Sequence, residues 1–196
     1  MFIYASSASV YDGKISAIEG DAGYVVRNEY DLSKSTLDRY IQLIPTESQW
    51  YGLRFGTVCG GSRNFRTDVM INCMYHTAKT AGEVYYTDPI VQRPILGMLD
   101  LCRAMEVLIE GQIQKGIYNL SSGNYTSNQV AKQVAELLKV PVVKREGQGI
   151  PYDFGMSNKK FRDVAGFRFQ DDPESIVNDI GGYYVSARKT HRSDPR

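Results

Sequence analysis

Histidine is nearly missing from this chain, with two in 196 residues, and cysteine is scarce, with three at wide spacing. His76 and His191 do not build a metal centre, and no metal is expected. Cys59, Cys73 and Cys102 form neither a CxxC pair nor a disulfide framework. They are expected as buried small hydrophobes in a reducing, cytoplasmic setting. No apolar run approaches the roughly 18 residues of a membrane span, and no basic segment precedes a long apolar stretch at the N-terminus. Neither membrane nor signal peptide is therefore expected. Charge of one sign is also lacking: 23 Lys and Arg against 22 Asp and Glu leave +1. That balance excludes a generally basic nucleic-acid coat. Finally, Gly20, Gly23, Gly60 and Gly61 do not fit the GxGxxG fingerprint of a dinucleotide clamp.

What is present is glycine, tyrosine and an alternation of short strands with amphipathic helices; 18 Gly and 14 Tyr stand out. Phe2-Ile3-Tyr4 runs into Ala5-Ser6-Ser7-Ala8-Ser9, which suits a central parallel strand whose carboxyl end faces a crevice. A Gly-rich loop from Asp12 to Gly23 follows. Tyr30, Lys34, Leu37, Ile41 and Ile44 recur at helical spacing until Pro45. Tyr51–Val58 reads as one strand and Val69–Ala81 as a helix stopped by Gly82. Glu83–Tyr86 reads as a short strand and Gln92-Arg93-Pro94 as a loop. Leu99–Glu110 is a helix and Gly116–Leu120 a strand. Thr126–Leu138 is a helix with Ser127 as N-cap, and Pro141–Lys144 a short strand or extended connection. A last short helix, capped by Ser157, runs to Ala165, and Ala187–Arg196 reads as a polar tail. Such alternation predicts an α/β fold with a parallel sheet.

The informative local feature is Tyr30-Asp31-Leu32-Ser33-Lys34. Spacing of four puts phenol and ammonium on one helical face. An ammonium held near a phenol favours the phenolate, and the pair can shuttle a proton to and from a hydroxyl. Ser6 and Ser7, at the end of the preceding strand, can hold the same oxygen.

Three blocks together carry a resemblance: Phe2–Tyr11, Tyr30–Lys34, and Leu53-Arg54-Phe55-Gly56-Thr57-Val58-Cys59-Gly60. They resemble the NAD-dependent epimerase/dehydratase family, the extended short-chain dehydrogenase/reductases that act on nucleotide sugars. The resemblance continues through Arg66–Asn72, Gln92–Ile95 with Asp100, and Ser157–Lys160 to Gly166-Phe167. It implies the C-terminal portion of a Rossmann-like sheet with a smaller α/β substrate-binding lobe.

It also implies roles, residue by residue. Ser7 matches the catalytic hydroxyl, with Ser6 and Ser9 beside it. Tyr30 matches the general base and acid, and Lys34 the residue that bonds the nicotinamide ribose and supports the tyrosine. Ser6 and Phe55, with Tyr30 and Lys34, fall on the cofactor side, and Ser9 and Thr57 on the sugar side. Asn72 matches a residue near the substrate diphosphate. Arg93 matches one that contacts phosphate, for which the guanidinium fork is suited. The cofactor implied is NAD or NADP, the ligand a nucleotide sugar, and the assembly a homodimer through the tyrosine-bearing helix. Ala8 follows Ser7 where dehydratases place an acid, which favours an epimerase or simple reductase. Thr57-Val58 replaces the usual Asn or Pro beside the sugar.

The glycine-rich half of the family's pattern has no counterpart here. Residues 1–65 read as a partial Rossmann-like core, 66–186 as the substrate lobe with remaining core elements, and 187–196 as the tail. Three accounts stay open: a subunit or fragment of a split enzyme completed by a separate chain carrying the cofactor-binding half, a truncated relic or partial gene model, or a non-catalytic nucleotide-sugar-binding or interaction module.

Overall fold

A computed structural model of the chain describes residues 1–21, 24–111, 113–147 and 149–191, with side chains through Tyr183 in the last helix. The α/β expectation holds. Strand β1 (Phe2–Ser7) pairs in parallel with β2 (Trp50–Phe55), and β2 with β6 (Gly116–Leu120), in the order β1-β2-β6. A second sheet orders β3 (Thr57–Cys59), β5 (Gln92–Gly97) and β7 (Gly123–Thr126). A third joins β4 (Val84–Tyr86) to β8 (Val142–Lys144).

Residues 51–58 are therefore two strands, not one. The break falls at Gly56, whose backbone approaches β5 so closely that an added Cβ would sit 2.8 Å from the Pro94 carbonyl oxygen. Gly56 lets one continuous run pass from the first sheet into the second. The expected loop at 92–94 is the start of β5. Proline discourages a strand reading, but β3 pairs with β5 only from Ile95 onward, so Pro94 owes no bond on that side.

Among the described residues six α-helices pack around these sheets: α1 (Glu29–Leu43), α2 (Met70–Thr80), α3 (Met98–Glu110), α4 (Ser127–Leu138), α5 (Lys159–Ala165) and α6 (Pro173–His191). Asn28 caps α1, its Oδ1 accepting from Asp31 N at 2.9 Å. The N-cap of α4 is Thr126, not Ser127, in a reciprocal box with Gln129. Helix α6 went unread in the sequence, although Asp172 and Ser175 bond each other's backbone N–H across its start and Pro173 opens it. Residues 187–191 belong to that helix, and 192–196 lie outside the described residues. Of the cysteines, only Cys59 is buried; Cys73 is half-buried and Cys102 exposed, correcting that expectation. No helix among the described residues is long and apolar enough to cross a membrane.

One hydrophobic core lies among α2, α4, α6 and β4, around Ile71, Val84, Val134 and Ile180. Another lies between the first sheet and α3 and α5, around Leu53, Leu108, Leu120 and Phe161. The carboxyl ends of β1 and β2 open between the two.

Candidate functional site

A cavity of about 750 Å³ occupies that opening. Ser6, Ser7, Ser9, Tyr30, Phe55, Thr57, Asn72 and Arg93 all line it. Eight of the nine residues singled out in the sequence thus meet at one crevice, although they come from β1, the 3-10 turn Ala8–Tyr11 that follows it, α1, β2, β3, α2 and β5. Open α/β sheets place ligands at such strand ends. The ninth, Lys34, lies one turn along α1 from Tyr30 and donates from Nζ to the Ala5 carbonyl oxygen at 2.8 Å. That ammonium is 5.5 Å from the centre of the Tyr30 ring. Tyr30 itself is 55% exposed, so its hydroxyl is not sealed behind protein.

The serines differ among themselves. Ser7 Oγ accepts from Ser9 N at 3.2 Å and lies 2.9 Å from Ser9 Oγ. Ser9 Oγ donates to Asp31 at 2.6 Å. Ser6 Oγ is buried with no hydrogen-bond partner among the described residues. A buried orphan hydroxyl is costly unless something satisfies it.

Asn72 is buried with its amide committed to Gly60, accepting from Gly60 N at 3.0 Å and donating to Gly60 O at 3.4 Å. It fastens the turn after β3 while facing the cavity. Arg93 is the reverse. Its guanidinium lies 5.5 and 5.4 Å from the ring centres of Tyr152 and Phe154, and no carboxylate is within ion-pair distance among the described residues. Burial pulls its pKa below the usual arginine value, with Asp12 and Asp153 opposing that shift.

Sequence reasoning missed the segment that closes one side. Residues 150–156 are strapped across the crevice by Arg27, which donates to Asp12 Oδ2 at 3.0 Å and to the carbonyl oxygens of Ile150 and Pro151 at 2.6 and 3.2 Å. Gly13 N donates to Asp153 O at 2.9 Å, and Gly155 N to Lys14 O at 2.8 Å. Tyr152 and Phe154 thereby join the lining. Their placement on either side of Asp153, within the apolar run Ile150–Met156, is the signal the sequence offered. Asp31 was passed over inside the quoted motif itself.

Behind the crevice lies a second arginine. Arg54, in β2, is 0% exposed and donates from Nε to Asp38 Oδ2 at 2.7 Å. Its other nitrogens reach the hydroxyls of Tyr11 and Tyr24 and the Glu19 carbonyl oxygen. Tyr4 donates to Asp38 Oδ1 at 3.0 Å, which satisfies the remaining carboxylate oxygen. Among the described residues no three His, Cys, Asp or Glu gather to hold a metal ion.

Comparison with known proteins adds the following. Residues 1–121 match the NAD dependent epimerase/dehydratase family. An ADP-L-glycero-D-manno-heptose-6-epimerase from Alkalilimnicola ehrlichii is 30% identical over 148 residues, covering 69% of this chain and 46% of that protein. The crystal structure of the Helicobacter pylori enzyme of the same name superposes with a TM-score of 0.80 at 22% identity, over 94% of this chain and 60% of that one. A Thermus thermophilus UDP-glucose 4-epimerase in complex with NAD gives 0.74 at 17%, over 94% and 64%. The chain spans about half the length of the curated relative, 46%.

Proposed function

The chain belongs to the NAD dependent epimerase/dehydratase family, and on that premise we propose that its crevice binds a nucleotide sugar for oxidation and re-reduction at a sugar carbon. The observation that carries this reading is the convergence on one cavity of residues chosen from separate sequence blocks. The direction, epimerase or simple reductase over dehydratase, rests on Ala8 beside Ser7.

Within this reading Tyr30 takes a proton from the reacting hydroxyl and returns it. Lys34, anchored on the Ala5 carbonyl oxygen, holds positive charge beneath the tyrosine ring. Ser7 hydrogen-bonds the reacting oxygen, Ser9 and Thr57 flank the sugar, and Arg93 presents an uncommitted guanidinium to a phosphate. Asn72 keeps the turn at Gly60 in shape for the diphosphate. The orphan Ser6 hydroxyl, beside Phe55 at the strand ends, fits the polar end of a nicotinamide. NAD or NADP, when bound, supplies the two-electron chemistry at the carbon.

No residue of this chain forms a GxGxxG loop for the pyrophosphate. In this reading strands that carry such a loop, on this or on a separate chain, pair along the outer edge of β1, where Phe2 is 48% exposed. The division at residue 65 belongs to the same proposal: cofactor side before it, mainly sugar side after. Exposed Leu32, Tyr40 and Leu43 on α1 suit a homodimer contact.

The test is turnover of UDP-, ADP-, GDP- and dTDP-sugars with NAD or NADP, with and without a supplied cofactor-binding half. Tyr30→Phe should lower turnover about 10²–10⁴-fold while leaving sugar affinity unchanged. Binding without turnover in every mixture would instead favour a non-catalytic nucleotide-sugar-binding module.

A further inference from the structure

We propose that Tyr152 is the positioning residue of Arg93: its ring, tied through its hydroxyl to the first turn of α1, fixes the guanidinium that takes the ligand phosphate. The inference rests on Arg93 contacting phosphate, as proposed above, and it adds how that contact is aimed.

An arginine side chain is long and flexible, and a guanidinium without an ion pair has no fixed direction unless something seats it. Arg93 is in that position, half-buried and with no carboxylate at ion-pair distance among the described residues. Its seat is a corner made of two rings. Tyr152 and Phe154 stand edge to face, at 87° with centres 6.2 Å apart. The Arg93 guanidinium lies over both, 5.5 and 5.4 Å from their centres. A guanidinium that rests its flat face on a ring keeps its N–H donors, which lie in its own plane, open at the edge. Arg93 lines the cavity, so that edge can meet a ligand.

The two rings are not held alike. Phe154 is buried with Val10, Tyr11 and Met156 and is kept in place by packing. Tyr152 is only half-buried at the margin of that cluster and is placed by polar contacts. Its hydroxyl donates to Asp31 Oδ2 at 2.7 Å and accepts from Asn28 Nδ2 at 2.8 Å. A phenol has one proton, and here it is committed. Asn28 is the N-cap of α1 and Asp31 lies in its first turn, so the two anchors flank Tyr30. Asp31 is itself fixed: fully buried, it also accepts from Ser9 Oγ at 2.6 Å and Arg27 N at 3.1 Å.

A second guanidinium lies over the same ring, that of Arg27, 4.4 Å from its centre. Arg27 is paired with Asp12 at 3.0 Å and donates to the carbonyl oxygens of Ile150 and Pro151, just ahead of Tyr152. Of two cations on one ring, then, one is neutralised and one is free. Burial pulls the Arg93 pKa down, Asp12 and Asp153 oppose that shift, and Arg27 adds to it. An anion at the open edge relieves the cost of such a charge. Tyr152 thereby holds the phosphate contact at a set distance from Tyr30, through one turn of α1. Its part is to aim Arg93, not to move a proton.

The test is a double-mutant cycle on the full chain, read by NMR titration with UDP and ADP, and with uridine and adenosine as phosphate-free controls. Tyr152→Leu should weaken diphosphate binding about tenfold, the scale of a desolvated cation–π contact, and leave nucleoside affinity unchanged. In an Arg93→Ala background the same substitution should cost nothing further, because no guanidinium is left to aim. A ring needed only to fold residues 150–156 would cost the same in both backgrounds. Tyr152→Phe keeps the ring and cuts the tie to α1. It should show part of the loss, again only with Arg93 present, and it carries the cycle if Tyr152→Leu fails to fold. An equal loss in the Arg93→Ala background, a loss shared by the nucleosides, or no loss in either variant overturns the proposal. A second readout needs no ligand. Ring faces shield the protons above them, so the Arg93 Nε–H signal should lie upfield and move downfield in Tyr152→Leu. An unshielded wild-type signal, or one that Tyr152→Leu leaves in place, overturns the seating whether or not nucleotides bind. The expected shift with no diphosphate bound supports the seating and counts against the phosphate reading instead.

Discussion

Two arginines, one behind the crevice and one in its wall, divide the molecule's polar chemistry between them. Every nitrogen of Arg54 has a partner, and its charge is matched by a carboxylate equally sealed from water. Arg93 is half-buried, rests on two aromatic rings, and among the described residues has no carboxylate at ion-pair distance. Burying a charge costs several kcal/mol unless it is paired, so the two positions state different purposes. Arg54 is consumed in joining β2 to α1 and to the loop that follows β1. Arg93 is held in place by rings that leave its hydrogen-bond donors free.

Removing a partner from each should separate the two sharply. Asp38→Ala leaves Arg54 charged and uncompensated in the interior, and should cost about 3–5 kcal/mol of folding stability in urea titrations. A loss below about 1 kcal/mol would mean that the tyrosine hydroxyls alone can carry the charge.

Raising the pH probes the same network more gently. Burial pushes the Tyr11 phenol up to about 12, with Arg54 and Asn119 opposing that rise. Burial and Asp38 raise Tyr4 as well. An unfolded tyrosine loses its proton near 10, so in the window from pH 10 to 12 the unfolded chain ionises first. The stability that Tyr11 contributes is whole below pH 10 and gone above 12. The expected loss is about 2–3 kcal/mol, followed as the urea midpoint against pH, with a shallower slope in Tyr11→Phe. An identical slope in that variant would remove Tyr11 from the account.

Arg93→Ala should do the opposite of Asp38→Ala. Stability should change little, because no ion pair is broken, while affinity for a nucleoside diphosphate sugar falls about tenfold to a hundredfold, the range for a charge-assisted hydrogen bond. Equal losses of stability and affinity would make Arg93 a second Arg54.

The sequence made one half of this comparison legible and hid the other. Ser7, Tyr30 and Lys34 could be named because their chemistry is local, a motif on one helical turn and hydroxyls at a strand end, whereas Arg93 was named through the family resemblance. Most helices and strands were readable for the same reason, since period and stop signals lie within each segment. What stayed hidden depends on distant partners. Arg54 sat in a quoted block, yet nothing in it foretells Asp38 from α1 or Tyr11 and Tyr24 from the loop. The split at Gly56 follows from the approach of Pro94, nearly forty residues later in the chain. Asp31 looked like filler between Tyr30 and Lys34 until Ser9 and Tyr152 were seen on its two oxygens. Helix α6 was missed with its signal in plain view, at Asp172-Pro173-Glu174-Ser175, as was the Thr126–Gln129 box of α4.

The most direct test of the central claim is amide hydrogen exchange of the full chain, with and without NAD and a panel of nucleotide sugars. If the crevice is the ligand site, protection should rise together at 5–9, 55–60, 92–96 and 150–156, and Arg93→Ala should weaken it. Protection confined to other segments, or none with any sugar, would contradict the account.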